Sequence, residues 1–283
     1  MGVGGVARGM TAHELGRFGV WRGYKGFRPE EAAELERLGY GALWLGGSPP
    51  AALPTVEPLL AATTTLTVGT SIVNIWTAPA AEVAESFHRI DARYPGRFLL
   101  GIGVGHPEAV SAYRKPYDAL VEYLDDLDAA GVPRERRAVA ALGPRVLELA
   151  RDRAAGALPY LTTPEHTRRA RDVLGAASLL AVEQKLVVDD DAERARALGR
   201  PVVARYLGLR NYVANLRRLG YSESDVAGQG SDRLVDALAV HGTPAQVADR
   251  LRAHRDAGAD HVALQPLEDD YLAPLRALAP LLR

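Results

Sequence analysis

Two short junctions in the second half of the sequence combine a helix start with groups that bind anions. The first, Gly143-Pro144-Arg145, follows the apolar residues Ala140-Ala141-Leu142. It directs free N–H groups and the positive end of a helix dipole outward, with Arg145 beside them. The second, Thr162-Thr163-Pro164, makes Thr163 the natural N-cap and leaves the Thr162 hydroxyl free to meet a ligand. Either junction alone equally suits an ordinary helix that begins with proline, but the two together favour a phosphate group.

An apolar run in the first half carries alternating glycines. In Phe98–Gly105, Gly101, Gly103 and Gly105 leave one face without side chains, so that a flat ring could lie against bare backbone. The run is not a dinucleotide fingerprint, because no G-x-G-x-x-G opens a helix directly. His106 follows and could donate a hydrogen bond or a proton, although a lone loop histidine is more often a surface residue.

Other residues at the ends of apolar runs are candidates for a binding pocket. Gly46 and Gly47 let a ligand approach the backbone, but they offer no acid or base and equally suit a tight turn. Four further side chains could line the pocket or belong to the core, namely Trp21, Asn74, Trp76 and Gln265.

Composition excludes several classes of function. The 283 residues carry a formal net charge of -1, which gives no electrostatic reason to bind nucleic acid or an acidic membrane, so we expect a small-molecule substrate. There are no cysteines, which excludes disulfides, thiolate metal sites and cysteine nucleophiles and fits a cytoplasmic enzyme. The seven histidines are scattered, so no metal site is predicted, and the serine-hydrolase elbow, the Walker loop and H-E-x-x-H are missing.

The elements that position these residues alternate along the chain. Apolar runs separated by amphipathic helical stretches predict βαβ units and a parallel sheet. The candidate strands are Gly16–Trp21, Ala42–Leu45, Thr67–Asn74, Phe98–Val104, Ala138–Leu142, Ala157–Leu161, Gln184–Val188 and Val262–Gln265. Eight strands suggest a closed (β/α)8 barrel, although an open doubly wound sheet has a similar local pattern.

One long connection interrupts the alternation. Residues 189–260 hold the helical patterns Ala192–Leu198, Val202–Leu219, Asp232–Val240 and Pro244–Ala257, which predicts a helical insertion between strands 7 and 8. We interpret residues 1–283 as a single domain with a flexible leader at 1–14.

Taken in order, these junctions resemble the luciferase-like monooxygenase superfamily and in particular its F420-dependent oxidoreductases. The resemblance runs from about Leu15 to Leu267 and rests on Val68–Asn74, Pro95–Gly105 and Ala140–Ala150. It implies a non-proline cis peptide between Ser71 and Ile72 behind a deazaflavin ring. It also implies that Gly103 and Gly105 face that ring, and that the cofactor's phosphate is held by Gly143, Pro144, Thr162 and Thr163. Related barrels pair through helices near the second and third strands, so the resemblance implies a homodimer.

The resemblance is incomplete where chemistry is concerned. Several relatives carry an acidic residue and a histidine where Gly46 and Gly47 stand, and some have a glutamate where His106 stands. The resulting hypothesis is hydride transfer between coenzyme F420 and a small organic substrate, with His106 and then Tyr113 as candidates for moving a proton. An FMN-dependent monooxygenase and a cofactor-free homologue that has lost catalysis are the alternatives.

Overall fold

Parallel strands pair in a closed ring in the computed structural model, which describes residues 15–105 and 115–283. The last strand of the ring pairs with the first, where Phe18 is in register with Val262, and with the seventh, where Leu264 is in register with Gln184. This closure confirms the (β/α)8 barrel and excludes the open sheet. The ring consists of β1 (Phe18–Gly23), β2 (Ala42–Gly46), β3 (Thr67–Thr70) continued by β4 (Val73–Asn74), β5 (Phe98–Gly103), β6 (Arg137–Val139), β7 (Gly156–Ala157), β8 (Leu179–Val187) and β10 (His261–Pro266).

Helices connect these strands. They are α1 (Pro29–Leu38), α2 (Val56–Ala61), α3 (Ala80–Arg93), α4 (Pro116–Ala129), α5 (Pro144–Arg153), α6 (Pro164–Leu174), α7 (Ala192–Leu207), α8 (Arg210–Arg218), α9 (Glu223–Val226), α10 (Asp232–Leu238), α11 (Pro244–Asp256) and α12 (Leu272–Leu278). In the described parts of the chain, no helix is long and apolar enough to cross a membrane.

Side chains on the two faces of each strand enter different cores. On β2, Ala42 and Trp44 point into the barrel, whereas Leu43 and Leu45 pack against the surrounding helices. Burial on both faces is why the strands are nearly continuous apolar runs in the sequence. Inside the barrel the Trp44 indole donates to His261 Nε2 over 2.9 Å. Gly69 provides the room, because a Cβ there would lie 2.6 Å from the Trp44 ring.

The predicted insertion between strands 7 and 8 is present and has its own apolar core. It contains α7 to α11 together with a short strand, β9 (Ala239–His241), which pairs with the end of β8. The sequence predicted a helix through Val240, but α10 ends at Leu238. The predicted break after Leu198 is also wrong, because α7 continues through Pro201. Proline removes one N–H from the helix, yet the buried side of α7 packs closely enough that a Cβ on Gly199 would lie 2.9 Å from Ala239 Cβ.

Candidate active site

Two neighbouring cavities lie at the carboxyl ends of the barrel strands, where this fold carries its chemistry. The Trp21 cavity, of about 240 Å³, contains Trp21, Ser71, Ile72, Tyr206 and Arg205 in its lining. The Gly143 cavity, of about 210 Å³, contains Gly105, Tyr117, Ala141 and Gly143. Ala140, Leu158, Tyr160 and Tyr212 line both. The structure therefore brings the predicted residues after strands 1, 3, 4 and 5 to one side of the barrel.

The interruption between β3 and β4 places Ser71 and Ile72 at the floor of the Trp21 cavity. The peptide between them is cis, as the resemblance implied. The Thr70 hydroxyl donates to Gly101 O over 2.7 Å and accepts from Gly101 N over 2.8 Å. The Thr70 side chain thus supplies hydrogen bonds to β5 at the point where main-chain pairing between β3 and β5 stops.

The glycines of β2 and β5 make room for neighbouring side chains. A Cβ on Gly46 would lie 1.9 Å from the Trp21 ring, so this glycine supports the indole, while Gly47 reaches the cavity. A Cβ on Gly103 would lie 2.9 Å from Ala140 Cβ and 3.1 Å from Ile72 Cγ1. The bare face of Gly103 is therefore covered by two of the side chains that line the Trp21 cavity.

Gly105 lines the Gly143 cavity in a conformation that favours glycine. Its φ is +57°, and a Cβ would lie 2.6 Å from Asn74 Nδ2. The other end of the Asn74 amide accepts from Trp76 N over 3.0 Å. Asn74 therefore closes the turn after β4, and Trp76 stands beyond it without being among the residues that line the two cavities.

The Gly143 junction begins α5 as predicted. Gly143 is the N-cap in an extended conformation and Pro144 opens the helix. Arg145 does not point to the helix start, since its guanidinium stacks 3.7 Å above the centre of the Tyr117 ring. The arginine beside Gly143 is instead Arg218 of α8, whose Nη2 lies 3.9 Å from where a Gly143 Cβ would stand.

The two threonines after β7 differ in their hydrogen bonding, and Thr163 is the N-cap that the sequence predicted. The Thr163 side chain accepts from His166 N and caps α6. The Thr162 hydroxyl is buried and has no hydrogen-bond partner in the described part of the protein. An unpaired buried hydroxyl is costly unless it meets a ligand or water, so the Thr162 hydroxyl has the capacity for one further hydrogen bond.

A third cavity, of about 190 Å³, lies between the first turns of α5 and α6 and is covered by α8. Asn215 and Arg218 of α8 and Arg169 of α6 line it. Asn215 is 3% exposed, and its Nδ2 has no partner within residues 15–105 and 115–283. Arg169 is paired with Glu165 at 3.0 Å, and most of the other residues that line this space are apolar. The polar groups that could meet an anion here are therefore the unpaired Asn215 amide and the Arg218 guanidinium.

Sequence reasoning missed a buried ion pair on β8. Lys185 Nζ lies 3.0 Å from each carboxylate oxygen of Glu183, and one of these oxygens also accepts from Leu161 N. Burial raises the pKa of Glu183 and lowers that of Lys185, and their mutual attraction opposes both shifts. The signal was present as three consecutive polar residues, Glu183-Gln184-Lys185, between apolar ones. The predicted strand was too short, because β8 begins at Leu179 rather than at Gln184.

Aromatic side chains from distant parts of the sequence surround this pair. Lys185 Nζ lies 3.8 Å from the centre of the Tyr160 ring, and the Tyr160 hydroxyl donates to Gln265 Oε1 over 3.0 Å. Trp21 and Tyr206 each stand 5.3 Å from Tyr160 between ring centres. Two of the predicted pocket residues, Trp21 and Gln265, are thus joined through a tyrosine that the sequence did not single out.

His106 and Tyr113, the candidates for moving a proton, lie outside the described residues. Among the residues that are described, no group of three or more histidine or acidic side chains could hold a metal ion.

The chain matches the family model described as luciferase-like monooxygenase over residues 15–131 and 127–261. No protein with a curated functional description matches the sequence. Similar solved structures include an F420-dependent secondary alcohol dehydrogenase bound to an F420-acetone adduct, with a TM-score of 0.75, 15% identity and coverage of 94% of this chain and 99% of that one.

Two further structures give TM-scores of 0.68. The coenzyme F420 dependent tetrahydromethanopterin reductase from Methanopyrus kandleri is 16% identical over 94% of this chain and 99% of its own. The oxygenating constituent of 3,6-diketocamphane monooxygenase from Pseudomonas putida, in complex with FMN, is 14% identical over 93% and 96%. At these identities the likeness shows a shared fold. Because the family model spans most of the sequence, the chain belongs to the luciferase-like monooxygenase family.

Proposed function

We propose that this protein is an F420-dependent oxidoreductase that transfers a hydride between the deazaflavin and a small organic substrate. Two proteins of the same fold, the secondary alcohol dehydrogenase and the tetrahydromethanopterin reductase, are F420-dependent. An FMN-dependent monooxygenase is the second candidate, because the camphane enzyme of the same fold binds FMN. Both cofactors join a flat ring system to an anionic chain, so the site must accommodate each part.

The anionic end carries the proposal. The hydroxyl of Thr162 and the amide of Asn215 are buried polar groups without partners in the described chain, and they lie at and over the helix starts of α5 and α6. Arg218 stands beside Gly143 at the same place. Donors of this kind at a helix N-terminus fit a phosphate group, and the residues present therefore fit the cofactor.

The ring end fits a flat group. Ala140 and Leu158 line both the Trp21 and the Gly143 cavities, and the Gly105 backbone is exposed to the second. When bound, the cofactor supplies the acceptor or donor of the hydride. The protein's own residues then have two tasks. Thr162, Asn215 and Gly143 hold the anion, and the aromatic side chains that line the Trp21 cavity exclude water from the reacting side of the ring; they are Trp21, Tyr160, Tyr206 and Tyr212.

Titration of the purified protein with F420, followed by deazaflavin fluorescence, tests the proposal. We expect saturable binding, and we expect Thr162→Val and Asn215→Leu each to weaken it about tenfold, the effect of losing one hydrogen bond to a charged group. A deazaflavin nucleoside without the phosphate should bind more weakly than F420, and its affinity should be the same for the two variants as for the parent protein.

FMN serves as the competing ligand in the same titration. Tighter binding of FMN, with one oxygen atom of O2 incorporated into an organic product while a reductant is consumed, would assign the monooxygenase function instead. Binding of neither cofactor would remove the enzyme proposal and leave the cofactor-free homologue.

A further inference from the structure

Helix α7 carries one arginine that differs from the other arginines around it. Arg194 pairs with Asp189 and Asp191, Arg196 with Asp232 and Asp236, and Arg200 with Asp232. The side chain of Arg205, nearer the end of the helix, makes no ion pair or hydrogen bond with any residue that the structure describes. Arg205 is exposed and is one of the residues that line the Trp21 cavity.

The other described residues that line this cavity are uncharged, and four of them are aromatic. Trp21, Tyr160, Tyr206 and Tyr212 form its wall, with ring centres 5.3 Å apart from Trp21 to Tyr160, 5.3 Å from Tyr160 to Tyr206, and 4.9 Å from Tyr206 to Tyr212. No carboxylate is among the described residues that line it.

The nearby buried charges cancel. Lys185 lies beneath Tyr160, but Glu183 neutralises it at 3.0 Å. The charge that faces the cavity is therefore the guanidinium of Arg205.

The size of the cavity limits the ligand. An apolar cavity of about 150 Å³ holds benzene. About 240 Å³ therefore accommodates one aromatic ring with a short polar arm.

We infer that the substrate is a flat aromatic or conjugated carboxylic acid, whose ring packs against the aromatic wall and whose carboxylate binds Arg205. The inference rests on the proposed function, since it assigns the substrate of the same site. Arginine presents a planar pair of donors that matches a carboxylate, and an aromatic wall accepts a flat apolar body.

The test compares two probes that differ only in charge, cinnamate and cinnamamide. Both are titrated by calorimetry against the purified protein, alone and saturated with F420. We expect cinnamate to bind at least tenfold more tightly than cinnamamide in one of these states. Arg205→Met should reduce this ratio to about one, while Arg210→Met, which removes an exposed arginine that lines neither the Trp21 nor the Gly143 cavity, should keep it.

Equal binding of the two probes in both states, or no binding of either, would overturn the inference, as would a ratio that survives Arg205→Met. A tenfold loss of F420 affinity in Arg205→Met would assign this arginine to the cofactor and also overturn it. If F420 fails to bind while the protein still prefers cinnamate to cinnamamide, the proposed function is wrong, but the assignment of a flat carboxylic acid as the ligand of this cavity is kept.

Discussion

Buried charge is the residue-scale feature that most constrains this protein. Glu183 and Lys185 are 3% and 0% exposed, inside a barrel whose other side chains are mostly apolar. Such a pair gains little over apolar residues of the same volume, but a single partner left alone is expensive. The pair is therefore expected to behave as a unit when it is mutated.

Lys185→Met should lower the free energy of unfolding by about 3–5 kcal/mol, because it leaves the Glu183 carboxylate buried without its counter-ion. The double variant Glu183→Gln, Lys185→Met should recover most of this loss, since the Gln amide oxygen still accepts from Leu161 N. Urea unfolding at neutral pH measures both.

Arg194→Met is the control, because it breaks exposed pairs with Asp189 and Asp191 and should leave the free energy of unfolding close to that of the parent. Additive losses in the double variant would show that the two buried groups do not act as a pair.

His261 should make stability depend on pH. Burial lowers the pKa of His261 to about 4, whereas an unfolded histidine titrates near 6.5. Between these two pH values the unfolded chain therefore binds more protons than the folded protein. The stability that depends on neutral His261 is complete above about pH 6.5. As the pH falls toward 4, the free energy of unfolding decreases by about 3 kcal/mol.

Urea unfolding measured from pH 7 to pH 4.5 should show a shallower pH dependence for His261→Gln than for the parent, because Gln can still accept from Trp44 without titrating. His88→Gln, at an exposed position, is the matched control. Parallel curves for the parent and His261→Gln would contradict the role of His261.

At the scale of elements, the start of α6 separates stability from binding. Thr163 caps the helix, so Thr163→Ala should cost about 1 kcal/mol of unfolding free energy. Thr162→Val should cost close to nothing, because the hydroxyl that it removes has no partner in the described chain. Thermal or urea unfolding of the two variants, without any ligand, tests the difference. A Thr162→Val variant as unstable as Thr163→Ala would show that the hydroxyl is structural.

The sequence predicted elements well where pattern and punctuation agree. Proline and threonine at the start of α6 located that helix, and the apolar run Phe98–Gly103 located β5, because these signals are local. The break between β3 and β4 was implied only by the resemblance, since Thr67–Asn74 has an uninterrupted β-branched pattern. The aromatic wall could not be predicted, because Tyr160, Tyr206 and Tyr212 meet only after the insertion has folded over the barrel mouth.

At the scale of the whole molecule, the expected homodimer would form by contact between the helices after the second and third strands, α2 and α3. The outer side of α3 is polar, and Arg89 and Arg93 are tied to Glu57 of α2 by ion pairs of 3.1 and 3.6 Å. Among the described residues the exposed large apolar side chain is Leu198, at 42%, which lies on α7. We propose that copies of the chain associate through the α2 and α3 surface, and that this contact is polar and reversible.

Light scattering after size exclusion should then give a mass that rises from near 30.4 kDa toward twice that value as the protein concentration increases through the micromolar range. High salt should shift the equilibrium toward the monomer, because screening weakens contacts between exposed charges. Glu85→Arg on the exposed side of α3 should shift it further than Glu148→Arg on the exposed side of α5, which is the matched control. A dimer that persists at every protein and salt concentration would place the interface elsewhere, because a polar surface of this kind lacks the apolar area that permanent dimers bury. A larger shift for Glu148→Arg than for Glu85→Arg would also place the interface elsewhere.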